Sequence, residues 1–287
     1  MTRIACIGEA MIELSILDDG AIVGVAGDTL NTAIYLHRQA PDLQLDYVTC
    51  IGDDPFSNRI SEFISGHGIG TAEIHTIAGA SPGLYAITTS HSGERSFTYW
   101  RSESAARQLF SDLDFSGLEI YDALYLSGIS VAILPHEVRI ALLNWLDRNP
   151  AKFIYDSNYR PRLWESADHA RQINERLWHR ADVALPSIDD EMALFGESAE
   201  QVADRFAKHP GLGALKRGAQ GPLSIGEEVH QTYLPAENVV DTTAAGDSFN
   251  GGYLAALLSG KSQAEALLAG HAMASKVVQF RGAIIPE

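Results

Sequence analysis

"DTTAAGDSFNGGYLAALLSG", residues 241–260, sets an apolar run of helical spacing directly behind a mouth of very small residues. Ala244, Ala245 and Gly246 carry almost no side chain, and Asp247 follows at once. A helix start exposes backbone N–H groups with partial positive charge, which attract phosphate oxygens. Small residues let a ligand come close to that backbone. A carboxylate at the same point can take the proton of a hydroxyl as it attacks a phosphorus held by those amides. Read from physics alone, Asp247 serves equally well as a first-turn acid that complements the helix dipole. Both readings stay open at this point.

On either side of this stretch, short β-branched or aromatic runs alternate with longer helical patterns. Strand-like runs fall at 3–8, 45–51, 123–128, 152–157, 182–187 and 212–218. Helical spacing covers 28–39, 54–65, 135–148, 167–180, 188–195, 199–208, 246–259 and 262–280. Such alternation predicts a mostly parallel sheet wrapped by helices, an α/β fold. Two stretches break it: 10–27 reads as a hairpin, and 83–101 as another that turns near Ser92 and Gly93. Four antiparallel strands inserted there would make a small lid over the strand ends, where open α/β folds bind ligands. The expectation is one domain over 1–287 with that lid.

Composition excludes several classes. The net charge of −16 argues against nucleic acid, which needs a basic face. No apolar run approaches the length of a membrane span, and the amino terminus lacks the parts of a signal peptide, so the expected location is cytoplasmic. Cys6 and Cys50 sit in apolar runs and read as buried free thiols. His136-Glu137 lacks the second histidine of a zinc helix. "GKS" at 260–262 resembles a phosphate-binding loop only superficially. The glycine such a loop needs is replaced by Ala255 inside a helix, so Gly260 reads as a helix terminator.

With these residues in view, the chain resembles the ribokinase-like (PfkB) sugar kinases. "DTTAAGDSFNGGYLAAL" matches the family signature D-T-x-G-A-G-D-x-F, with Ala244 at a usual glycine. "VAGDTLNTAIYLHRQ" (25–39) resembles the G-G-x-x-x-N-x-A segment, with Ala26 for the first glycine. "CIGDDPFSNRI" (50–60) and "GHAMASKVVQFRGAIIP" (270–286) also fit, so the resemblance spans the chain. It implies a three-layer α/β/α domain with a small antiparallel β lid, and ATP with Mg²⁺ as cofactors. It makes Asp247 the catalytic base and Ala244, Ala245 and Gly246 an anion hole. Gly27, Asp28 and Asn31 would contact sugar hydroxyls, which need paired donors and acceptors.

For the nucleotide, the resemblance implies the turn from Lys216 to Gly221, Gly218 included, together with Ala245, Gly246 and, on the last helix, Ala272 and Ser275. "PSIDDEMALFG" (186–196) departs from the usual N-x-x-E, with Ser187 for asparagine and Asp190 for glutamate. Asp190 or its neighbour Glu191 could order water around Mg²⁺. Asp241 and Thr243 match positions that hold a monovalent cation in some members. "GLYAI" (83–87), "FTYWRSESAA" (97–106) and "DSNYRPRLW" (156–164) resemble 2-keto-3-deoxygluconate kinases within the family. A sugar acid carries a carboxylate that a guanidinium fork matches bidentately. That points to Arg101 and Arg160, with Tyr85 and Tyr99 as hydroxyl donors. Asn158 and Arg160 also stand near the expected ATP phosphates, so Arg160 could serve either anion. The implied reaction is ATP-dependent phosphorylation of that sugar acid at its 6-position. A neutral-sugar kinase, for fructose or ribose, and a catalytically silent sugar or nucleotide sensor remain as alternatives. Oligomeric state, a homo-oligomer included, stays open.

Overall fold

The computed structural model describes residues 2–89 and 95–286, so the expected turn near Ser92 and Gly93 lies outside the described residues. In chain order the strands are β1 (Arg3–Ile7), β2 (Met11–Leu17), β3 (Gly20–Ala26), β4 (Gln44–Ile51), β5 (Ile74–Thr76) and β6 (Leu84–Thr89). They continue with β7 (Arg95–Trp100), β8 (Ala123–Ser127), β9 (Lys152–Asp156), β10 (Val183–Ala184), β11 (Leu212–Leu215) and β12 (Leu223–Ile225). The helices are α1 (Asp28–Gln39), α2 (Pro55–Gly66), α3 (Gly128–Ile133), α4 (His136–Leu146) and α5 (Ala167–Arg180). After these come α6 (Ile188–Phe195), α7 (Ala199–Phe206), α8 (Ala245–Leu258) and α9 (Gln263–Val277).

The large sheet runs β12-β11-β10-β9-β8-β1-β4-β5, parallel throughout except for the β11–β12 pair. Its inner strands bury both faces, so alternate residues enter opposite cores. Ala5, Ile7, Leu124 and Leu126 pack with Val138, Leu142, Leu177 and Phe206 on the α4, α5 and α7 side. Ile4, Cys6, Ala123 and Tyr125 pack with Leu30, Ile34, Tyr253 and Leu267 on the α1, α8 and α9 side. Three layers follow directly from that division. Cys6 and Cys50 are buried free thiols, and burial pushes them up to about 12 and about 11.

Helices at 28–39, 167–180 and 188–195 start and stop where their spacing puts them. The strand expected over 182–187 contracts to Val183–Ala184. Pro186 has no N–H to donate, and only scattered bonds such as Leu185 N to Tyr155 O (2.9 Å) continue the pairing. Helix α3 escapes the apolar spacing because it is six residues long, yet Ser127 and Ser130 close a capping box at its start.

The second sheet runs β3-β2-β6-β7. Its two hairpins, β2–β3 and β6–β7, are antiparallel as expected. They join through a parallel pair, Ile12 opposite Leu84 to Ser15 opposite Ile87, so the lid is mixed rather than wholly antiparallel. The chain passes through β3, α1, β4, α2 and β5 between β2 and β6, and no tight turn fixes their relative direction. Gly260 terminates α8 with φ 80, its N–H bonded to Leu257 O at 3.0 Å, and no phosphate loop forms there.

Candidate active site

The strand order reverses between β1 and β8: successive strands proceed through β4 and β5 on one side, and from β8 to β12 on the other. Open parallel sheets bind ligands outside the carboxyl ends of the strands at such a reversal. A cavity of about 790 Å³ lies there. Glu9 enters it just past β1, Asp156 from the end of β9, and Lys216 from the end of β11. The mouth of α8 closes one side, and Met11, Tyr85, Phe97, Tyr99 and Arg101 bring the second sheet to the other.

At the mouth of α8, Ala244 caps the helix in the left-handed region, with φ 58 and no side-chain cap. An alanine there costs on the order of 1 kcal/mol that glycine would avoid. Backbone strain of this kind gathers where geometry is needed for function. The Ala245 N–H closes onto Thr242 O at 3.2 Å. That removes one member of the expected anion hole. Among the described residues, the amides of Ala244, Gly246 and Asp247 have no protein partner and stay free to bind an anion. A Cβ at Gly246 would meet only Lys216 Nζ, at 3.8 Å. The space above that amide is open.

Asp247 lines the same cavity, and its Oδ2 accepts from Asn31 Nδ2 at 2.8 Å. Burial, with the nearby charges of Asp28 and Asp156, pushes its carboxyl up to about 8, against the opposing pull of Asn31 and Lys216. A carboxyl poised near neutrality suits proton transfer. Asn31 keeps its Oδ1 buried without a partner, as does Arg101 its Nε. Both residues line the cavity, so a ligand with hydroxyl groups would satisfy what the protein leaves unmet.

Gly27 ends β3's return toward α1 at a tight approach: a Cβ there would stand 2.2 Å from Glu9 O. Asp28 accepts from Asn158 Nδ2 at 2.6 Å. Arg101 is ion-paired with Glu9, whose side chain is 1% exposed. Sequence reasoning missed Glu9. An acid set in the apolar run "ACIGEAM" at the end of the first strand was the available signal. The Tyr85 hydroxyl donates to Glu13 rather than standing free, and burial with that carboxylate raises it. Its ring stacks on Tyr99 at 5.5 Å, so the pair presents a flat aromatic wall.

On the side expected to take the nucleotide, Lys216 Nζ reaches Asp156 Oδ2 at 2.8 Å and Asn250 Oδ1 at 3.1 Å. Asn250 in turn donates to Asp156 Oδ2 at 2.6 Å and to the Tyr125 hydroxyl at 3.1 Å. Neither Asp156 nor Asn250 was singled out from sequence, because a buried polar residue looks like any other strand-end or helix position until its partners are known. Ser187, Gly218 and Ser275 line the cavity as expected residues of that side. Gly221 and Ala272 do not line it. Gly221 underlies the Tyr233 ring, and Ala272 is exposed on α9, whose cavity face is His271, Ala274 and Ser275. Helical spacing puts 271, 274 and 275 on one face and turns 272 away.

Asp190 faces the cavity, accepts from Tyr159 N at 3.2 Å and stands 3.5 Å from Arg160 NH1; burial raises its carboxyl. Glu191 turns inward instead. It is buried outside the cavity against Arg205 at 2.9 Å, and burial pushes it up to about 7. An acid in that setting cannot hold water around a metal in the cavity. Asp241 also departs from expectation. Its Oδ1 takes the N–H and hydroxyl of Thr243 at 3.0 and 2.6 Å, and its Oδ2 takes Arg95 NH1 and Gly282 N at 2.6 and 2.9 Å.

The whole chain, residues 1–287, matches the model of the pfkB family carbohydrate kinases. A relative from Escherichia coli (strain K12), 2-dehydro-3-deoxygluconokinase, is 43% identical over 305 aligned positions, covering 99% of this chain and 97% of its own. The 2-dehydro-3-deoxygluconokinase of Dickeya dadantii (strain 3937) is 45% identical, covering 99% and 97%. Among solved structures, a PfkB protein from Polaromonas sp. JS666 superposes with a TM-score of 0.84 at 25% identity, over 97% of this chain and 96% of that one. Among the described residues no helix is long and apolar enough to cross a membrane. Signature, cavity and similarity over the full length agree that this chain belongs to the pfkB family of carbohydrate kinases.

Proposed function

We propose that the protein transfers the γ-phosphoryl group of ATP to the terminal hydroxyl of 2-keto-3-deoxygluconate, giving the 6-phosphate and ADP. The observation that carries this reading is the pairing of Asp247 with unbonded amides at the mouth of α8, in one cavity with Arg101 and Arg160. In this scheme Asp247 takes the proton of the attacking hydroxyl while Asn31 holds its carboxylate in place. The amides of Ala244, Gly246 and Asp247, with Lys216 close by, receive the negative charge that gathers on the phosphoryl oxygens. Asn31 and Asp28 hold sugar hydroxyls, and the Tyr85–Tyr99 wall excludes water from the acceptor.

Arg160, half exposed and only loosely held by Asp190, is the freer of the two guanidiniums. Arg101 is already neutralised by Glu9, so it offers a substrate its unmet Nε–H more than net charge. We assign the substrate carboxylate to both, with Arg160 the stronger anion ligand. Two relatives that cover nearly the whole chain, 43% and 45% identical, are 2-dehydro-3-deoxygluconokinases, which supports the acceptor.

Among the described residues no group of three or more His, Cys, Asp or Glu could enclose a metal ion. Mg²⁺ suits such a site, because it keeps several waters and uses one or two carboxylates plus phosphate oxygens. Asp190 is the carboxylate that would hold it. When bound, it neutralises charge on the phosphate oxygens.

Coupled ADP release across a panel of acceptors tests this reading. The sugar acid should exceed fructose and ribose by at least about tenfold in kcat/KM, the worth of one charge-assisted hydrogen bond. Preference for a neutral sugar would hand the site to the neutral-sugar kinase, and absence of turnover to the sensor.

A further inference from the structure

We infer that Arg95, carried by the second sheet, supplies the positive charge that orders the loop entering the anion hole, where other arrangements would need a monovalent cation. The inference rests on the phosphotransfer reading for its kinetic consequences. Residues two apart in a strand share a face, so β7 projects Arg95, Phe97 and Tyr99 to one side, and Arg101 continues the series. Phe97, Tyr99 and Arg101 line the cavity. Arg95, at the end of that row, reaches Asp241 Oδ2 at 2.6 Å and Thr243 Oγ1 at 2.8 Å, with its guanidinium over the Phe97 ring at 5.5 Å.

A carboxylate offers about four lone-pair sites. Asp241 spends all four: on Thr243 N, Thr243 Oγ1, Arg95 and Gly282 N. Burial alone would raise its carboxyl, but those donors outweigh it and hold it below the usual range. At Asp241 and Thr243 the side-chain acceptors of the expected cation site are therefore taken, and the cation they hold is a side chain. Thr243 directly precedes Ala244, the strained cap of α8. One strand thus carries both the substrate wall and the clamp on the phosphate-binding turn. Withdrawal of β7 from the cavity would release both together.

The test compares wild type with Arg95→Gln and Arg95→Lys, each as the full chain. Melting temperature and ATP affinity are measured in K⁺, Na⁺ and tetramethylammonium chloride at equal ionic strength, and kcat and KM are measured in the same salts. Wild type should give the same values in all three salts. Arg95→Gln should lose roughly ten- to a hundredfold in kcat/KM, the range for a charge-assisted hydrogen bond. The loss should appear in kcat as well as in sugar KM, and K⁺ should restore part of it and raise the melting temperature. Arg95→Lys should recover most of the activity. Stimulation of the wild type by K⁺ as large as that of Arg95→Gln, or wild-type kcat/KM in Arg95→Gln, would overturn the inference. Melting needs no acceptor. A wild type inert towards every sugar would defeat the kinase reading while the melting comparison still decides the role of Arg95.

Discussion

Replacing Asp247 with asparagine should stabilise the protein at neutral pH. In the fold, burial and the neighbouring Asp28 push this carboxyl from 3.8 up to about 8. The folded state therefore binds a proton more tightly than the unfolded chain, and between those two values stability falls as pH rises. At about 1.4 kcal/mol per unit, the roughly three units from 3.8 to neutrality cap the cost at about 4 kcal/mol at pH 7. Asp247 is half-buried and faces an open cavity, so water recovers much of that. The carboxamide oxygen still accepts from Asn31 Nδ2. A gain of about 1–2 kcal/mol is the expected net, or roughly 2–6 °C in Tm for a chain of this size. Thermal unfolding of both proteins at pH 7 and pH 4 reads it. The gap should nearly close at pH 4, close to the unfolded carboxyl's own pKa, where the unfolded chain takes up the proton as well. A variant no more stable than wild type at pH 7, or a gap unchanged at pH 4, would mean that folding does not raise this carboxyl.

Two further outcomes follow from the same geometry. Arg160→Ala and Arg101→Ala should each lose roughly ten- to a hundredfold in kcat/KM for the sugar acid and much less for a neutral analogue, measured by ADP release. Equal losses with acid and neutral acceptors would move Arg160 to the ATP phosphates. Gly246→Val should fold with nearly wild-type Tm, because only Lys216 Nζ stands near the new side chain, at 3.8 Å. Turnover should collapse as the β-branched group blocks the free amides; normal turnover would show that no ligand uses them.

Much of the architecture was readable because burial on both faces and helical spacing leave long periodic signals. Strands over 3–8 and 45–51 and helices over 28–39 and 167–180 were of that kind. The parallel pairing of β2 with β6 was not readable, since register between distant segments is set by packing rather than by local pattern. The same divide runs through the site. Asp247, Asn31 and the small residues before the acid announced themselves by sequence proximity to a helix mouth. Glu9, Asp156 and Asn250 did not, because their meaning comes from partners far along the chain: Arg101 for the first, Lys216 for the others. Arg95 is the clearest case. An exposed-looking arginine in a hairpin becomes the partner of Asp241, 146 residues away.

If Asp247 accepts a proton from a sugar-acid hydroxyl during phosphoryl transfer, single-turnover ADP release from wild type and Asp247→Asn reports the loss of that acceptor. With saturating ATP and 2-keto-3-deoxygluconate, the variant should be slower by about 10²–10⁴, while calorimetry shows ATP and sugar binding preserved. A rate within a few-fold of wild type, with both ligands still bound, would make Asp247 a helix-end acid and contradict the mechanism.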